Sequence, residues 1–115
     1  MRIEGKAKML TIYMGEGDRY HHRPLYQVLV ERIRKEGLAG ATVVRGIEGF
    51  GRASRIHTAS VLRMSEDLPI VITVVDKEER IDSILPIIDE VVEEGLVILE
   101  NVDVITYRPG NGDSP

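Results

Sequence analysis

A chain of 115 residues, 43% hydrophobic and 30% charged, has the size and balance of one globular domain. The absence of cysteine excludes disulfides, thiolate metal sites and a cysteine nucleophile, and no apolar run is long enough to cross a bilayer as a helix. A formal net charge of −4 lacks the broadly basic character that general nucleic-acid binding requires, so no nucleic-acid partner is expected.

The opening "MRIEGKAKML" has no apolar core of the signal-peptide kind, and a cytoplasmic location is expected. "KMLTIYM", Lys8 to Met14, alternates Leu10, Ile12 and Met14 against Met9, Thr11 and Tyr13, the period of a strand. "GEGDRYHHRP" reads as a connecting loop, with Pro24 placed to be the first residue of a helix, where its missing N–H costs nothing. Leu25, Val28, Leu29 and Ile33 recur at helical spacing, and Gly37 is suited to the helix C-terminus. "ATVVRGI" is rich in β-branched residues and predicts a second strand. A long loop over about residues 50–67 follows, well beyond the length a hairpin needs. "LPIVITVVD" is a third strand, apolar on both faces from Ile70 to Val75.

Asp76 and Glu79 have the Asp-x-x-Glu spacing of a helix N-cap. Ile81, Ile84, Leu85, Ile88 and Val92 give the second helix its buried stripe, Pro86 is expected to kink or divide it, and Gly95 to end it. "LVILENVDVITY" is the last strand, and residues 109–115 form a polar tail. The whole is expected to be one domain over 1–115, with its ordered core at about 7–108. The order β-α-β-β-α-β is that of the α+β ferredoxin-like fold, an antiparallel sheet with two helices on one face. A third strand apolar on its second face calls for a further cover, and another copy of the chain supplies one most simply.

"RGIEGFGRASRIH", residues 45–57, sets Gly46, Gly49 and Gly51 beside Arg45, Arg52 and Arg55. From Arg45 to Arg63 four arginines face one acid, Glu48, a local balance of +3 in an acidic chain. Glycine allows close backbone approach and arginine offers a planar fork to phosphate. The stretch therefore predicts an anion-binding loop, against the plainer reading of a tight turn with solvated arginines.

"GFGR" closing a second strand, a long loop, and re-entry at "LP" resemble the PII signalling proteins over about Lys8 to Gly110. "LTIYMGEGDRY", "PLYQVLVERIRKEGLAGATVVRGIEGFG" and "SEDLPIVITVVDKEERI" resemble more closely an uncharacterised PII-like family of prokaryotes whose genes lie near fluoride exporters. The resemblance implies a homotrimer that binds an adenine nucleotide (AMP, ADP or ATP) in clefts between subunits, needs no metal and is not an enzyme. It also implies a protein partner, a membrane transporter among the candidates. The resemblance implies Gly49, Phe50, Gly51, Arg52 and Arg108 as ligand-binding residues, and the glycine-arginine stretch adds Arg45 and Gly46 to the expected set. Two departures count against tight triphosphate binding: Thr106 stands where the PII pattern has a second arginine, and "EEGLVILE" lacks the Gly-rich, lysine-bearing segment that follows the second PII helix.

Other chemistry is poorly supported. Adjacent His21 and His22 diverge in a loop and lack further ligands at metal-binding spacing. His57 near Ser54, Thr58 and Ser60 has no carboxylate to complete a triad. The Walker pattern is absent. The alternative function is a small phosphate-ester or acyl-phosphate hydrolase using the 15–24 loop, with Arg19 or Arg23 as anion ligand at a helix N-terminus. The asparagine that reading wants on the second strand is missing, since Asn101 and Asn111 lie elsewhere.

Overall fold

The computed structural model describes residues 3–50, 57–58 and 68–110. Its centre is a four-stranded antiparallel sheet of β1 (Gly5–Gly15), β4 (Thr42–Arg45), β7 (Pro69–Asp76) and β8 (Leu96–Val104), in the order β4-β7-β1-β8. Helices α1 (Leu25–Lys35) and α2 (Glu78–Val91) cover one face. This is the expected ferredoxin-like arrangement. Two short ladders decorate it, β2 (Arg19–Tyr20) with β3 (Arg23–Pro24), and β5 (Glu48–Gly49) with β6 (His57–Thr58).

The core forms where the strand and helix periods meet. Leu10, Ile12 and Met14 of β1 and Ile70, Ile72 and Val74 of β7 point to one face and are buried. They meet Leu25, Val28, Leu29 and Ile33 of α1 and Ile81, Ile84, Ile88 and Val91 of α2 in a single cluster. Register puts Met9, Thr11 and Tyr13 on the opposite face, beside Val75, Thr73 and Val71 of β7 and Glu100, Ile98 and Leu96 of β8. Val44 of β4 joins them opposite Val71. β7 thus alternates between buried and half-buried positions, and its second face is apolar as the sequence implied.

Several local expectations are corrected. Pro24 is the N-cap of α1, not its first residue. The connecting loop contains the β2–β3 hairpin, whose two turn residues, His21 and His22, have φ of 49° and 72°. Two-residue hairpins of the I′ type need φ > 0 at both positions, commonly supplied by Asn or Gly, and two histidines gave no such signal. α2 is capped at Lys77 without a side-chain hydrogen bond. Asp76 instead lies fully buried and accepts the Ala39 N–H at 2.8 Å and the Lys77 N–H at 2.7 Å, bracing the turn after α1 against the end of β7. Pro86 does not divide α2, which runs unbroken from Glu78 to Val91. That helix ends at Val91, four residues before Gly95.

Candidate functional site

The chain leaves β4 at Arg45 and turns at once over the first residue of β7. The Gly46 N–H donates to the Pro69 carbonyl at 2.7 Å. A Cβ at position 46 would lie 2.8 Å from Cγ of Pro69, and one at position 49 would lie 3.0 Å from the same atom. Gly46 and Gly49 therefore close around the proline ring, a packing reason for two of the three glycines. The chain returns at His57–Thr58 to pair with Glu48–Gly49, so the stretch expected as one long loop begins as a short ribbon. Ile47 and Phe50, 77% and 71% exposed, project apolar surface beside this turn, an arrangement suited to an aromatic or apolar ligand group.

Arg45 is exposed, yet its guanidinium is already paired with the Glu16 carboxylate. Glu16 occupies the turn between Gly15 and Asp18, in which the Asp18 N–H donates to the Gly15 carbonyl at 3.1 Å and the Asp18 carboxylate accepts the Gly15 N–H at 3.0 Å. The Glu16 N–H donates to the Leu68 carbonyl at 2.7 Å. Strand order explains the meeting: β7 lies between β1 and β4, so side chains leaving the ends of both neighbouring strands reach across its first residue. Nothing local in the sequence announced this pair, which joins residues 29 apart.

Arg45, Gly46, Gly49 and Phe50 are thus brought together. Gly51 and Arg52 lie outside the described residues, as does most of the segment expected as a loop. Arg108 is exposed but stands at the other end of the sheet. It follows Tyr107, whose hydroxyl donates to the Ala39 carbonyl at 3.3 Å beside the Asp76 end of β7. The eight residues of β7 span roughly 23 Å at a strand rise of about 3.3 Å, so one chain does not join Arg108 to the Gly46–Phe50 turn.

The 15–24 region offers little to a phosphate. Arg23 makes a two-pronged contact with Glu31, Nη1 to Oε1 at 2.9 Å and Nη2 to Oε2 at 2.5 Å. That hydrogen bonding holds the Glu31 carboxyl below its ordinary value and raises the Arg23 guanidinium. Arg19 lines a cleft of about 230 Å³ together with Asp18, Glu93 and Glu94, whose carboxylates repel an anion. Asn101 sits on β8 and accepts from Lys8 Nζ at 2.5 Å. The His21 ring packs edge-on to Tyr20 with centroids 4.3 Å apart. Among the described residues no group of three or more His, Asp or Glu side chains converges as metal ligands would, and no helix is long and apolar enough to cross a membrane.

Residues 7–104 match the model of the DUF190 family, described as "Uncharacterized ACR, COG1993". A UPF0166 protein of Aquifex aeolicus is 37% identical over 100 residues, covering 87% of this chain and 94% of its own. UPF0166 protein MJ1524 of Methanocaldococcus jannaschii is 38% identical over 100 residues, covering 86% and 92%. Among solved structures, CPII of Thiomonas intermedia K12 bound to ADP, AMP and acetate superposes with a TM-score of 0.64 at 20% identity, over 93% of this chain and 94% of that one. CPII, a nitrogen regulatory PII-like protein, with ADP, AMP and bicarbonate gives 0.62 at 18%, over 90% and 91%. CutA of Synechococcus elongatus PCC7942 gives 0.58 at 11%, over 95% and 87%. At these identities the structural likeness is one of fold.

Proposed function

The chain belongs to the DUF190 family of PII-like proteins, and from that premise we propose that it is a regulatory protein binding an adenine nucleotide in a cleft between subunits of a homotrimer. One observation carries the reading: the turn at Arg45–Phe50 and Arg108 occupy opposite ends of a sheet whose intervening face, bearing Met9, Tyr13, Val44, Val71 and Leu96, is uncovered by helices. A second copy laid on that face covers it and can bring one subunit's Arg108 to the other's turn. CPII, which shares the fold, was solved with ADP and AMP. Arg45, Gly46, Gly49, Phe50, Gly51 and Arg52 form one wall of the proposed site and Arg108 the other. Ligand at the base of the segment after Gly49 biases how that segment meets a protein partner, a membrane transporter among the candidates.

Titration calorimetry with AMP and ADP tests the reading. Saturable binding without release of phosphate is expected, and Arg52→Ala or Arg108→Ala should each weaken it about tenfold or more, the loss of one charge-assisted contact. Absence of binding, or steady turnover, would contradict the proposal. The hydrolase alternative gains no support, because Arg23 is held by Glu31 and Arg19 sits among carboxylates.

A further inference from the structure

Building on the nucleotide reading above, we propose that Glu16 sets the charge preference of the anion site by holding Arg45, so that the site favours ligands carrying fewer phosphates. Arg45 is the one basic residue among the described residues of the basic turn. It is neutralised by Glu16, whose backbone is fixed by its bond to the Leu68 carbonyl and by the Gly15–Asp18 turn. The Glu16 side chain is 19% exposed and that of Arg45 53%, so the carboxylate is the more enclosed partner and the guanidinium remains open on its outer side.

A phosphate approaching Arg45 either displaces Glu16 or settles beside its carboxylate. Both routes carry a cost that rises with the ligand's negative charge, because each added charge meets the same fixed anion. AMP, ADP and ATP carry successively more charge, so Glu16 penalises them in that order. Glu16 thus supplies a repulsive element, one of the devices by which specificity is set.

The test compares AMP, ADP and ATP on the wild-type protein, Glu16→Gln, Arg45→Gln and the double variant by titration calorimetry at low salt. Glu16→Gln keeps the side chain's volume and removes its charge. Tighter binding of all three nucleotides is expected, by about threefold for AMP and roughly tenfold or more for ATP, with the difference shrinking as salt screens it. In the Arg45→Gln background the gain should shrink, because Glu16 is then no longer held at the turn, yet still rise from AMP to ATP, because its carboxylate still repels phosphate. An unchanged ratio of ATP to AMP affinity in a folded Glu16→Gln protein that binds nucleotide overturns this proposal alone. A full gain retained without Arg45 overturns it too. No binding of any nucleotide to the wild-type protein removes the nucleotide reading and this proposal with it. Should Glu16→Gln not fold, Glu16→Ser makes the same comparison.

Discussion

Two contacts at opposite ends of β7 show how single residues hold the fold. At its start, the Pro69 ring fills the space that side chains at 46 and 49 would need. Gly46→Ala should destabilise the protein by about 1–3 kcal/mol, the usual cost of forcing extra volume into a packed contact. Pro69→Ala removes the obstructing ring, so the double variant should lose less than the sum of the singles in urea denaturation. Additive losses would mean that Gly46 is required for something other than this contact. At the other end, Asp76→Ala leaves the half-buried Ala39 and Lys77 N–H groups without their acceptor, at a cost of about 1 kcal/mol each. Asp76→Asn keeps one acceptor oxygen and should fall between. Equal stability of all three proteins by the same denaturation would contradict the bracing role.

The exposed Arg23–Glu31 pair gives a small effect with a definite sign. Glu31 titrates below its ordinary value because Arg23 donates hydrogen bonds to it. Its contribution is therefore complete above the carboxyl's unfolded value and is lost as pH falls through the lowered folded one. Stability curves of the wild-type protein and Glu31→Gln should differ near neutrality and converge in acid; a constant offset across that range would show that the charge is not responsible.

At the scale of elements, α2 carries the clearest local conflict. Pro86 is exposed inside an unbroken helix, where proline costs the backbone donor and crowds the preceding turn. Pro86→Ala should raise the urea midpoint, with a gain of roughly 1–3 kcal/mol; no gain would show that the helix already accommodates the ring. This element also shows what the sequence could and could not disclose. The stripe of Ile81, Ile84 and Ile88 located the helix, because periodicity is set by the burial it produces. Asp76 is right in type for a cap but stands one residue before it, and its carboxylate joins Lys77 to Ala39, 37 residues from Asp76. α1 was legible for the same reason as α2. The β2–β3 hairpin was not, since His21 and His22 occupy left-handed backbone that favours other residues. Within the site, the cluster of glycine and arginine marked the turn, while the Pro69 clasp and the Glu16–Arg45 pair depend on strand order and have no local signature.

At the scale of the whole molecule, the proposed assembly rests on the uncovered sheet face. Tyr13, Val44 and Leu96 are 40%, 50% and 55% exposed on the same face as half-buried Val71 and Ile98, apolar surface that a second copy would cover. Sedimentation equilibrium should find a trimer, and Val71→Glu, a charge placed in the middle of that face, should shift it to monomers that keep their circular dichroism. A wild-type monomer at micromolar concentration would contradict this. The central claim, that the nucleotide site is shared between subunits, is tested most directly by mixing. Arg52→Ala and Arg108→Ala proteins, each weak alone, should recover near wild-type affinity in about a quarter of their sites when unfolded and refolded together, because one interface in four then joins an intact turn to an intact Arg108. Binding that stays as weak in the mixture as in either variant would place the whole site within one chain, or elsewhere.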